Sequence, residues 1–127
     1  MIEALFSQSN YVASKKLLDA TVLRHEAIAS NLANLETPNY RRLDVAPTFN
    51  AQLQQAISSR SPGQIAGVQP QLEVDANALA NTRDGNTVQL ETELGQLNKN
   101  LLEHTLETQL ITGALLRLRL AITGRQV

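Results

Sequence analysis

The chain has 127 residues, 43% of them apolar but only 3% aromatic, and a formal charge of −1. The near-neutral balance gives no electrostatic case for a nucleic-acid or membrane-surface partner. The lack of cysteine excludes a disulfide framework and a thiolate metal site.

That length suits one ordinary domain or a few long helices. The apolar share is mostly Leu, Ala, Ile and Val, which favours helices packed side by side over a core built on large rings. No run of about 18 apolar residues is present, so no membrane span is expected. The opening MIEALFSQSNYVASKK has neither a basic n-region nor a long apolar h-region, so a Sec signal peptide is not expected there.

The first predicted element is a helix from Ser9 to Asn34. Leu18, Val22, His25, Ala29 and Leu32 recur at alternating steps of four and three, which keeps them on one face. Leu17, Ile28 and Leu35 widen the stripe. Pro38 disfavours a helical Thr37, so the helix should stop near Leu35 or Glu36. In the stretch SNLANLETPNYRR, Asn31 and Asn34 lie on the last turns, where their amides can satisfy orphan carbonyls. Pro38 and Asn39 then make a turn, and Tyr40 supplies a ring with a polar tip.

The middle segment, 41–86, holds three of the four prolines and is rich in Gln, Ser, Ala and Asn. It is expected to be irregular and partly extended, with a short helix over Thr48–Ser58 and a short strand in QLEVD. SRSPGQIAGVQPQ has the composition of a loop.

The last segment, 87–127, carries the clearest signal. Leu90, Leu94, Leu97, Leu101, His104, Thr108, Ile111, Leu115, Leu118 and Ile122 follow an unbroken alternation of four and three, a heptad seam. DGNT should supply the preceding turn, with Asn86 or Thr87 as N-cap, and Gly124 should end the helix. Leu102, Leu106, Leu110, Leu116 and Leu120 form a second stripe away from the seam. One antiparallel partner helix cannot cover both, so further cover must come from other chains. The expected fold is all-α, with the terminal helices paired as a coiled-coil-like hairpin. The expected units are 1–40, 41–86 and 87–127, acting as one body. The assembly seam comprises Leu18, Val22 and Leu32 on the first helix and Leu90, Leu94, Leu97, Leu101, Ile111, Leu115, Leu118 and Ile122 on the last.

Residues suited to chemistry are sparse. His25 and His104 sit at seam positions and can approach each other in an antiparallel pair, but no further ligands accompany them. Glu103 and Glu107 read as a solvated helix face. No phosphate loop or nucleophile motif is present. No enzyme activity, cofactor or metal is expected.

The stretch ASNLANLETPNYRRLDV resembles the N-terminal signature of flagellar basal-body rod proteins, most of all their proximal-rod type. That signature has Ser-Asn-Ile-Ala-Asn, then Thr-Pro-Gly-Tyr and a basic residue. Ser30, Asn31, Ala33, Asn34, Thr37, Pro38, Tyr40 and Arg41 match it; Asn39 replaces the usual Gly, and Leu35 and Glu36 a commoner Ala-Asp. RDGNTVQLETEL and LLRLRLAITGR are similar to the family's later segments. The resemblance implies a structural subunit exported by the flagellar type III apparatus and built into the periplasmic rod. Its implied partners are other copies of itself, other rod proteins, rod-adaptor and membrane-ring proteins, and transiently the export gate. Neither nucleic acid nor a small-molecule substrate is implied. Phe49 and Leu53 in FNAQL fit the Phe-x-x-x-apolar pattern that the resemblance implies for export-gate recognition. The alternatives are another axial rod or hook subunit, or a cytosolic helical adaptor or secretion chaperone.

Overall fold

The structure, a computed structural model, describes residues 9–80 and 83–124. Helix α1 spans Ser9–Ala33, and α4 spans Leu90–Thr123. Between them lie strand β1 (Leu43–Val45), helices α2 (Thr48–Ser58) and α3 (Pro62–Ala66), and strand β2 (Leu72–Val74). None of the described helices is long and apolar enough to cross a membrane.

The long helices pack antiparallel. Asn31 near the end of α1 meets Glu93 near the start of α4, and Thr21 meets Asn100 and His104 further along. At ~1.5 Å per residue α4 is about 50 Å long. No proline interrupts α1, and Pro38 follows soon after its last turn. Gly124 ends α4 in the left-handed conformation, φ 64°, with its N–H donated to the Leu120 carbonyl.

The middle segment is more ordered than its composition suggests. The expected helix and strand are present, as α2 and β2. Leu43 of β1 pairs antiparallel with Val74 of β2, and Val45 with Leu72. The stretch expected as loop contains α3, which the sequence does signal. Ser61 accepts from the Gln64 N–H as N-cap, and Pro62 sits at the first helical position, where a missing N–H costs nothing. Val45, Phe49, Leu53, Ala56 and Ile65 then pack on Ala13 and Ala20 of α1. The small alanines let the two short helices come close to α1 while the larger apolar groups fill the space between.

The face of α4 that meets α1 differs from the expected seam. Leu97 and Ile111 are half-buried and Leu118 is buried, but Leu90, Leu94, Leu101, Leu115 and Ile122 are exposed. On α1, Leu18 and Leu32 are half-buried and Val22 is exposed. Glu93 and Asn100 occupy the interior in place of Leu94 and Leu101. The physical reason is hydrogen bonding. Glu93 reaches Arg42 and Asn31, and Asn100 reaches the Thr21 carbonyl, so the helix is rotated with its polar row inward. Polar groups thus stand between the two long helices among Leu97, Ile111 and Leu118, and no continuous leucine seam joins them.

Candidate functional site

The end of α1 and the approach to α4 form one junction. Asn31 is fully buried. Its Nδ2 donates to the Leu43 carbonyl (2.9 Å) and to Glu93 Oε2 (3.2 Å), while its Oδ1 accepts from the Leu43 N–H (2.8 Å) and the Tyr40 hydroxyl (3.2 Å). One amide thus holds together α1, β1, α4 and the turn between α1 and β1. No shorter acid or alcohol offers two donors and an acceptor in that arrangement. Tyr40 shares a second hydroxyl contact with Ser30 at 2.9 Å.

Asn34 acts locally, as its position on the last turn leads one to expect. Its Nδ2 donates to the Ser30 carbonyl, and its Oδ1 accepts from the Thr37 hydroxyl. Pro38 and Asn39 complete the turn, with Asn39 at φ 61°. Asn tolerates that left-handed conformation better than most residues, which accounts for its presence where a glycine would also serve.

The DGNT stretch closes the junction from the other side. Asp84 accepts from the Asn39 N–H at 2.7 Å, and Tyr40 accepts from the Thr87 N–H at 3.0 Å. Gly85, at φ 77°, passes so close that a Cβ there would stand 2.5 Å from Asn39 Oδ1. The buried Asn86 donates to the carbonyls of Asn34, Leu35 and Thr37. Those carbonyls lie just beyond the C-terminal end of α1. Neither Asn86 nor Thr87 is the N-cap of α4, contrary to expectation; Gln89 holds that position without a side-chain cap. Asn86 caps the preceding long helix, and Thr87 accepts from the Arg42 N–H.

Arg42 is the charged centre of this junction. Its Nε donates to Glu93 Oε1 at 2.6 Å, and its Nη1 to Asp75 Oδ2 at 2.6 Å and Asp44 Oδ2 at 3.3 Å. Burial opposes its charge. The hydrogen bonds to Glu93 and Asp75, with the charges of Glu93 and Asp44, outweigh burial and hold the guanidinium above its ordinary value. Burial likewise works against charge on Asp75, but the hydrogen bond and charge of Arg42, with the Asn77 and Ala78 N–H groups, together outweigh it, so this carboxyl lies below its usual value. Arg42, Asp75, Glu93 and Asn100 were not singled out from the sequence. A signal existed for the last two: Glu93, Asn100 and Glu107 recur at heptad spacing beside the leucines.

His25 and His104 line one cavity of about 210 Å³ with Thr21, Val22, Asn100 and Leu101. The Thr21 hydroxyl donates to the Leu18 carbonyl, so it accepts from His104 Nδ1 at 3.0 Å. Among the described residues no group of three or more His, Asp or Glu is placed to hold a metal. Glu103 bonds Arg24 on α1 and is only partly exposed. Glu107 has a buried Oε2 without a partner. Burial, reinforced by the charge of Glu103, pushes its carboxyl up. Neither behaves as a freely solvated helix face.

Phe49 and Leu53 lie one turn apart on α2 and are almost fully buried in the core. The outer side of α4 is the reverse. Leu101 is 50% and Leu102 72% exposed, with Leu106, Leu110, Leu115, Leu116 and Leu120 also open. Along 98–109 they line a shallow apolar groove. Single exposed leucines are ordinary on a protein surface; these seven lie open along one helix.

No protein-family model matches the chain. Comparison with individual proteins gives a consistent result. The chain is 31% identical over 116 residues to "Flagellar basal body rod protein FlgB" of Aquifex aeolicus (strain VF5), which spans 87% of this chain and 90% of that protein. It is 28% identical over 113 residues to the protein of the same name from Borrelia hermsii, over 75% of this chain and 82% of that one. At that identity over most of both chains, the chain belongs to the FlgB family of flagellar basal body rod proteins.

Proposed function

We propose that this chain is a structural subunit of the proximal flagellar rod, made in the cytoplasm, exported by the flagellar type III apparatus and polymerised through its long helices in the periplasm. The observation that carries this reading is the uncovered leucine surface of α4. A helix that leaves apolar rows open to water gains stability when neighbours cover them. Copies of the same chain and other rod, rod-adaptor and membrane-ring proteins are the proposed cover. Heterologous contacts related by a rotation that does not close generate a tube, and motility depends on that tube transmitting torque.

The junction built on Asn31, Arg42 and Asn86 serves this role by stiffness. It fixes the angle between α1 and α4 at one end, so load on either helix passes through close-packed, hydrogen-bonded groups. Phe49 and Leu53 are proposed to meet the export gate only before folding, since the folded chain hides both.

Leu101→Asp and Leu115→Asp test the reading. Both sites are exposed, so each substitution should change the stability of the free chain by no more than about 0.5 kcal/mol. Swimming through soft agar and recovery of the chain in isolated basal bodies should both be lost. Normal incorporation and motility would remove the leucine surface from the assembly.

A further inference from the structure

Helix α4 carries two heptad rows that share half their members. Leu97, His104, Ile111 and Leu118 belong to both. The row set against α1 completes them with Glu93, Asn100, Glu107 and Ala114, which are buried or half-buried. The other row completes them with Leu94, Leu101, Thr108 and Leu115, all exposed. Neighbouring residues on a helix stand about 100° apart, so a turn of roughly half that angle about the axis exchanges one row for the other.

Hydrophobic burial by itself favours the leucine row against α1. The polar row is also incompletely satisfied, because Asn100 Oδ1 and Glu107 Oε2 are buried without partners. Three hydrogen bonds oppose the turn. Fully buried Glu93 is held by Arg42 and Asn31 from β1's approach and α1, and Asn100 Nδ2 donates to the Thr21 carbonyl at 2.8 Å. A rotated helix would take the Glu93 carboxylate from buried Arg42 and from the Asn31 amide, leaving the guanidinium only Asp44 and Asp75 and the amide only the Leu43 carbonyl.

We infer that Glu93 and Asn100 set the rotation of α4, holding the leucine row outward for neighbouring subunits at a cost to the stability of the single chain. The inference rests on the reading of that row as assembly surface. A polar group buried at one heptad position is an established means of choosing between packings that apolar residues would otherwise satisfy.

The absence of cysteine makes the test clean. A cysteine placed by Leu101→Cys should react with a soluble thiol reagent almost as fast in the folded chain as in denaturant. Adding Glu93→Leu and Asn100→Leu should slow that reaction by about tenfold or more, because the position turns inward. Glu93→Gln keeps an acceptor oxygen for Arg42 Nε but loses the one that takes the Asn31 amide, and with Asn100 unchanged it should leave the rate closer to that of Leu101→Cys alone than to that of the double-leucine background. An unchanged rate in the double-leucine background overturns the inference. If that variant fails to fold, Asn100→Leu alone decides: slower labelling supports the assignment, and an unchanged rate refutes it. Motility separates the two readings. Slowed labelling with motility lost supports both, whereas slowed labelling with normal motility upholds the rotation and removes the leucines from the assembly.

Discussion

Replacing Asn31 by alanine should be among the most damaging single changes in the molecule. The side chain is fully buried and makes four hydrogen bonds, two of them to the N–H and carbonyl of Leu43. A net hydrogen bond is worth about 1 kcal/mol, and a stranded part-buried backbone group costs roughly 1–3 kcal/mol, so a total near 3 kcal/mol is a conservative sum. Tyr40 limits the loss by keeping its bond to Ser30. For a chain of this length 3 kcal/mol lowers the melting temperature by about 12 °C. Thermal melting followed by circular dichroism measures it. Asn34→Ala is the control, since that side chain makes only two bonds and sits in a partly exposed turn; it should cost about 1 kcal/mol. An Asn31→Ala variant that melts within a few degrees of the parent, or no lower than Asn34→Ala, would refute the view that this amide holds the junction.

Gly85→Ala should destabilise more than Gly124→Ala. Both glycines have positive φ and share a left-handed penalty of about 1–2 kcal/mol, but only at Gly85 does the added carbon meet Asn39 Oδ1 at 2.5 Å. Denaturant midpoints of the two variants compare them directly. Glu107→Gln should stabilise the chain near neutral pH. The folded carboxyl titrates above its value in the unfolded chain, so the native state holds the proton longer and stability falls as pH rises through that interval. The gain should vanish near about pH 4, where both states are protonated, and melting at the two pH values tests it. Asp75 has the opposite sign. Its folded value is depressed, so its contribution is complete above the unfolded value and is lost as acid titrates the folded carboxyl. Asp75→Asn should therefore flatten the acid limb of the stability curve.

Local patterns made much of this architecture legible. Pro38, the Leu-rich heptads and Gly124 bound the two long helices, and Thr48–Ser58 was readable from its own composition. Strand β1 was not, because three residues carry too little periodicity and its pairing to β2 is made across two intervening helices. The rotation of α4 escaped the pattern for a different reason. Leucine outnumbers every other residue on that helix, yet Glu93 is drawn inward by an arginine far away in sequence. One buried ion pair with hydrogen-bond support overrides several leucines that water still tolerates. Asn86 shows the same limit, since DGNT reads as a local turn and cap while its amide serves the end of the other long helix. The motif positions Asn31, Asn34 and Tyr40 were found, but their work inside the chain became visible only with their partners.

Cryo-electron microscopy of basal bodies isolated from cells that make this chain tests the central claim most directly. The chain should be found in the proximal rod, with Leu101, Leu102, Leu106 and Leu115 covered by neighbouring subunits and Glu93 still against Arg42. A rod lacking this chain, or one in which those leucines face open water, would contradict it.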